Sequence, residues 1–249
     1  MLQRPSSRQA MIRAVLALPR PLARVRALPV RALRVGGWGL LHAATLLERG
    51  PQLAGDRTVE WGWTLSRLRR DPGRVLDFGA GTGFLALAAA LAGHEIVAVD
   101  LEPSAFDFEH PAIEYRRGDF NEMDIEPRSF DQVLNCSTIE HVGLPGRYDS
   151  PAEADGDLRA MAKLAELLLP GGNMILTLPV GIDGVFAPYH RVYGAERLPR
   201  LLEPFAVQEE SWWTKLDGRR WESVARETAL ATQGSSSFYA LGLFVLTRR

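Results

Sequence analysis

A single cysteine, no acidic residue before Glu48 and no long apolar run are the clearest absences in this chain of 249 residues. One thiol, Cys136, excludes an internal disulfide and any zinc site built from several thiolates, and it suits a reducing, cytoplasmic compartment. No stretch reaches the roughly 18 uninterrupted apolar residues of a membrane-crossing helix. The first residues also lack the charged, apolar and small-residue order of a secretory signal. The formal net charge is only −1, with 24% charged residues, so a wholly basic nucleic-acid binder is excluded and no nucleic-acid partner is expected.

That balance hides an asymmetry. Residues 1–47 hold eight arginines (Arg4, Arg8, Arg13, Arg20, Arg24, Arg26, Arg31, Arg34) and no acid, leaving 21 bases against 30 acids in the rest, a net of −9. The boundary predicts an arginine-rich extension over residues 1–47 and one domain over 48–249. The extension shares its bias with transit peptides, but Pro19, Pro21 and Pro29 interrupt the single amphipathic helix such a peptide forms. Its charge suits peripheral contact with an anionic membrane surface, or a solvated extension.

From Arg74 onward, short apolar runs alternate with helical patterns, as βαβ units do, which predicts a doubly wound α/β fold with a mostly parallel sheet. Strands are expected at Arg74–Phe78, Glu95–Asp100, Ile113–Asp119, Phe130–Cys136, Asn173–Val180, and near Phe205–Trp213 and Phe238–Leu246. Helices are expected at Thr82–Ala92, buried all round and stopped by Gly93, at Ala154–Leu169 and at Gly194–Leu202. Thr214–Ser237 reads as an inserted loop or short helix.

The most specific feature is Asp77-Phe78-Gly79-Ala80-Gly81-Thr82-Gly83, between the first strand and its helix. Glycines there let the chain turn tightly and bring its amides to a ligand. A dinucleotide fingerprint wants a glycine where Phe84 stands, and a P-loop wants Gly-Lys-Ser/Thr, which is missing. The second strand ends in Asp100, where a carboxylate can accept both hydroxyls of a ribose.

With these residues in view, the chain resembles class I S-adenosylmethionine-dependent methyltransferases. Val75–Leu85 is similar to their first motif and Val97–Asp100 to their second. Gly118-Asp119-Phe120 resembles the third, Ser129-Phe130-Asp131 to His141 the fourth, and Leu169-Pro170-Gly171-Gly172-Asn173 the turn before strand five. The resemblance implies a Rossmann-like sheet of seven strands with an antiparallel C-terminal strand, and S-adenosylmethionine as cofactor. Asp77, Gly79, Gly81, Gly83, Asp100, Leu101, Asp119, Phe120 and Asn135 are the implied binding residues, with Asp100 at the ribose, Leu101 on the adenine and Asp119 at its amino group.

Transfer to a hydroxyl calls for a base, and His141, Glu140 and His190 are the candidates at the ends of strands four and five. Tyr189-His190-Arg191-Val192-Tyr193 reads as a polar acceptor wall and Arg147-Tyr148-Asp149 as a lid. Trp212, Trp213 and Trp221 are candidates for stacking on a sugar. The Glu140-His141 pair resembles that of ubiquinone-pathway O-methyltransferases, where an acid three residues before the Glu helps bind a metal. Ser137 stands there, so no metal is expected. The patterns Thr138–Leu144 and His190–Gly194 also resemble a bacterial methyltransferase-like group tied to glycan or secondary-metabolite assembly. The expected reaction is therefore O-methylation of a small molecule or sugar-bearing metabolite. The rivals are a non-catalytic donor-binding module and a tethered membrane or nucleic-acid factor.

Overall fold

A computed structural model describes residues 53–101, 108–146 and 152–249; the arginine-rich segment and the expected lid at Arg147-Tyr148-Asp149 lie outside the described residues. The elements, in chain order, are α1 (Asp56–Ser66), β1 (Arg74–Phe78), α2 (Phe84–Leu91), β2 (Glu95–Asp100), β3 (Ile113–Arg117), β4 (Phe130–Cys136), α3 (Gly156–Leu167) and β5 (Leu168–Val180). They continue as β6 (Gly184–Phe186), β7 (His190–Val192), α4 (Arg197–Leu201), β8 (Phe205–Thr214), β9 (Glu222–Ser223), α5 (Arg226–Leu230) and β10 (Ala240–Arg248). Short 3₁₀ turns occupy Phe120–Glu122 and Ile139–His141.

The main sheet runs β3-β2-β1-β4-β5-β10-β8-β9. The first five strands in that order are parallel, and β10 is antiparallel to both β5 and β8. The seven expected strands are thus present in a doubly wound α/β sheet with an antiparallel C-terminal strand, and the two-residue β9 makes an eighth. Strand order reverses between β1 and β4, the switch point outside whose carboxyl ends an open α/β sheet binds ligands.

Alternation along each strand divides the core into two layers. Leu76, Val97, Val133 and Met174 face α3 through Met161, Leu164 and Ala165. Val75, Ala98, Leu134 and Ile175 face the other way, onto Leu85, Ala86, Ala89 and Ala90 of α2 and the flank of α1. Helix α2 is not buried all round as expected: Leu91 and Phe84 are exposed, because a helix lying on a sheet covers only one stripe. Pro170-Gly171-Gly172 forms an excursion inside β5, whose register against β4 jumps from Phe130–Leu168 to Gln132–Asn173. The hairpin of β6 and β7 occupies a stretch where the sequence pattern predicts no element, and the insertion after β8 contains β9 and α5.

Candidate functional site

A cleft of about 890 Å³ opens where β1, β2 and β4 end. The Gly79–Gly83 turn forms one wall. Gly79 holds φ +76°, and a Cβ placed on it would lie 2.1 Å from Thr138 Oγ1, so only glycine fits this close approach of two strand-end loops. The Gly79 N–H donates to the Val99 carbonyl at 2.8 Å, tying the turn to β2. The Gly81 N–H donates to Asp100 Oδ2 at 2.8 Å, so the acid at the end of β2 also shapes the loop.

Of the residues expected at the donor, Asp77, Gly79, Gly81, Asp100, Leu101, Asp119 and Phe120 line this cleft. Asp77 is buried, with Oδ2 lacking a hydrogen-bond partner, and burial above all pushes its carboxyl up to about 7. Asp119 also accepts from the Asn121 N–H at 2.9 Å, capping the 3₁₀ turn that carries Phe120. Gly83 is set back as the residue that caps α2. Asn135 is turned away from the cleft: it is fully buried, and its Nδ2 points to Met161 Sδ at 3.9 Å. The period-two alternation of β4 sends position 135 to the α3 side of the sheet, whereas the cleft is reached from the strand's end.

The cleft is also lined by both candidate imidazoles. His141 Nδ1 lies against the Tyr189 carbonyl oxygen, which can only accept, so the neutral ring carries its proton there and its lone pair on Nε2. His190 lines the same cleft, with Nε2 3.0 Å from the Ser235 carbonyl oxygen and its ring edge-on to Tyr239, centroids 4.8 Å apart. Glu140 does not reach the cleft. It is 1% exposed, its Oε1 lies 3.6 Å from His141 Nε2, and its Oε2 has no hydrogen-bond partner. The 3₁₀ turn presents His141 outward and Glu140 inward, so any influence of Glu140 on the cleft passes through its neighbours.

The expected acceptor wall is only half present. Tyr189 and His190 line the cleft, but Arg191 and Tyr193 point into the fold. Arg191 donates to the carbonyl oxygens of Val142 and Glu153, and the Tyr193 hydroxyl donates to Asp157 Oδ2 at 3.0 Å. The three tryptophans are also elsewhere. Trp212 packs edge-on against Phe244, while Trp213 and Trp221 join Leu53, Val59 and Trp63 in a packing cluster.

Helix α1, for which the sequence pattern gave no expectation, supplies Asp56, Arg57 and Trp61 to the cleft. Val59 and Trp63 at helical spacing in a segment without proline were the available signal. Trp61 stacks on Phe84 with centroids 4.4 Å apart. Arg57 is the one arginine or lysine lining the cleft among the described residues, and its Nη1 donates to Glu60 Oε2 at 2.8 Å. Glu60 is itself fully buried beneath the cleft floor, and its Oε1 accepts from Ser137 Oγ and from Thr177 Oγ1 at 2.8 Å.

Comparison with known proteins adds relatives to this geometry. A family model described as "Ribosomal protein L11 methyltransferase (PrmA)" matches residues 63–120, and one described as "Caenorhabditis protein of unknown function, DUF268" matches residues 117–219. The chain is 31% identical over 163 residues to a ubiquinone biosynthesis O-methyltransferase of Xanthomonas campestris, covering 61% of this chain and 62% of that protein. It is 32% identical over 154 residues to a ribosomal protein L11 methyltransferase of Pseudomonas aeruginosa, covering 59% and 45%. The chain therefore spans less than two thirds of the length of these curated relatives. Its fold is that of the Burkholderia thailandensis 1,6-didemethyltoxoflavin-N1-methyltransferase, solved with 1,6-didemethyltoxoflavin and S-adenosylhomocysteine, with a TM-score of 0.52, 18% identity and coverage of 100% of this chain and 94% of that one.

Proposed function

We propose that this chain, a class I S-adenosylmethionine-dependent methyltransferase by fold and sequence kinship, binds S-adenosylmethionine in the cleft and transfers its methyl group to a hydroxyl of a small molecule. The observation that carries the reading is one cleft lined by Gly79–Thr82 of the turn, by Asp100 and Asp119, and by two imidazoles. The donor supplies a methyl group on an already activated sulfonium, which leaves the protein to align the acceptor and remove its proton. The residues fit such a donor. Asp100 takes the ribose hydroxyls, Leu101 and Phe120 border the adenine, Asp119 takes its amino group, and Arg57 takes the carboxylate of the amino-acid end. His141 Nε2 is the base, with His190 lining the acceptor side.

The acceptor end is bounded by Leu53, Val142, Tyr189 and Tyr239, a mostly apolar and aromatic surface. It suits a flat hydroxylated molecule. A sugar-bearing metabolite is the second reading, and the displacement of Trp212, Trp213 and Trp221 from the cleft removes the stacking surface that favoured it. Residues 1–47 are proposed as a separate extension whose arginines engage an anionic membrane surface, outside the catalytic domain over 48–249.

A comparison of two donor fragments tests the assignment. S-Adenosylhomocysteine should bind at least ten times more tightly than 5′-methylthioadenosine, which lacks the amino-acid end, because a hydrogen bond to a charged group contributes about 1.5–3 kcal/mol. Arg57→Met should close most of that gap while leaving methylthioadenosine binding unchanged. Equal affinities for the two compounds, or a gap that survives Arg57→Met, would place the amino-acid end away from α1.

A further inference from the structure

Beneath the cleft floor lie two buried carboxyl groups, Glu60 and Glu140, that make no assigned contact with the donor. Glu60 of α1 is fully buried and takes Arg57 Nη1 on one oxygen, with the hydroxyls of Ser137 and Thr177 on the other. Ser137 stands at the end of β4 in the left-handed region, φ +48°. For a residue with a side chain this backbone is strained, and it persists only where the surroundings over-determine it. Here it points the hydroxyl into the carboxylates, because Ser137 stands against Glu140 as well as Glu60. Glu140 has one oxygen 3.6 Å from His141 Nε2 and the other buried without a partner. The remaining charged or titratable neighbours are Asp56 and Arg57 from α1, Cys136 from β4, and Tyr193 and Tyr239, both under the influence of Glu140.

We propose that Glu60, Ser137 and Glu140 form a buried relay that holds one proton beside His141 and supplies the countercharge when His141 accepts the proton of an acceptor hydroxyl. The inference rests on the reading of His141 as the base. At rest Glu140 is protonated, Glu60 is held anionic by Arg57 and by the Ser137 and Thr177 hydroxyls against the burial that pushes its carboxyl up, and His141 is neutral with its lone pair on Nε2. A carboxylate permanently ionised at 3.6 Å would instead favour an imidazolium, which cannot act as a base. Burial foremost, with the Glu60 charge adding to it, pushes Glu140 up to about 8, in keeping with the protonated state at neutral pH.

When the acceptor proton reaches Nε2, the Glu140 proton passes to Ser137 Oγ and the Ser137 proton passes to Glu60. The products of the shift are an imidazolium, a Glu140 carboxylate facing it and a neutral Glu60, so one proton enters and none is lost. Glu140 and Ser137 are positioning residues in this scheme. The charge on Glu60, carried by α1, is coupled through them to the base.

The test needs no acceptor. The full chain is labelled on its five histidines, saturated with S-adenosylhomocysteine and titrated by NMR from pH 5 to 9.5, with the His141 signals assigned from a His141→Gln sample. His141 should show two inflections, its own and a second near 8 from Glu140. Glu140→Gln should abolish the second. Glu60→Gln should move it down by about half a pH unit or more, since the removed charge is one that raises Glu140, and Ser137→Ala should displace it too. A single inflection, the same in the parent and in Glu140→Gln, overturns the relay, and the parent titration alone can show this if Glu60→Gln does not fold. Binding of S-adenosylhomocysteine is read on the same samples. Its absence strikes the donor site, whereas binding with one inflection strikes the relay alone.

Discussion

Gly79→Ala should lower both the thermal midpoint and the donor affinity, and it is expected to be the most damaging single methyl group in the donor loop. The new Cβ would lie 2.1 Å from Thr138 Oγ1 and 2.2 Å from Thr138 Cγ2, on a backbone with φ +76°. A side chain held at such a φ costs about 1–2 kcal/mol, and overpacking a tight contact costs about 1–3 kcal/mol more. For a domain of this size each kcal/mol shifts the midpoint by about 2–4 °C, so a fall of several degrees is expected. Relief of the clash has to move either the glycine turn or the loop that carries His141, and S-adenosylhomocysteine affinity should drop at least tenfold. Gly62→Ala is the control. Gly62 lies inside α1 with nothing within 4 Å of its added Cβ, so the same chemical change there should stabilise by about 0.5–1 kcal/mol. A Gly79→Ala protein that melts and binds like the parent would show that the contact with Thr138 does not set the loop.

Asp100→Ala is expected to cost at least tenfold in S-adenosylhomocysteine affinity, because it removes the carboxylate assigned to the ribose hydroxyls, each bond to a charged group contributing about 1.5–3 kcal/mol. The fold should suffer less. The bond from the Gly81 N–H at 2.8 Å is lost within the protein, a contribution of about 1 kcal/mol, and the strand end leaves no core cavity behind. Asp100→Asn keeps an oxygen for Gly81 and loses the charge, so its affinity should fall between the other two with a midpoint near the parent's. Thermal scans and binding titrations on the three proteins separate the loop contribution from the ribose contribution. An Asp100→Ala protein that loses stability but binds as tightly as the parent would reduce Asp100 to a loop-holding residue.

The sheet is legible in the sequence because its signal is local. β2 is an apolar run, Ile96–Val99, closed by Asp100, and β4 sets Phe130, Val133 and Leu134 among polar residues; both begin and end where the pattern places them. β5 is expected to begin at Asn173 because Pro170-Gly171-Gly172 is turn chemistry, but pairing of Leu168 with Phe130 carries the strand past it. Helix α2 departs from expectation for a similar reason. Its composition is apolar throughout, and composition does not report which side a sheet covers.

The donor side is legible because glycines and acids at strand ends have few other reasons to recur at that spacing, and seven of the nine residues expected there line one cleft. Asn135 is misleading by its nearness in sequence to the strand end, although alternation along β4 sends it into the core. The acceptor side is harder to read. Tyr189-His190-Arg191-Val192-Tyr193 is a cluster in sequence, but the β6–β7 pairing turns Arg191 toward Val142 and Glu153, while Tyr193 reaches Asp157. Glu60 and Arg57 belong to a helix far from β4 in sequence, and only the tertiary fold brings them to Ser137. Long-range pairing of that kind leaves no mark in local pattern.

The cleft at the ends of β1, β2 and β4 is the assigned donor site, and isothermal calorimetry of the full chain with S-adenosylhomocysteine tests that without an acceptor or a variant. One site per chain is expected, with a micromolar-range dissociation constant, on the order of 7–8 kcal/mol of binding free energy. No heat, together with no thermal shift at millimolar ligand, would contradict it.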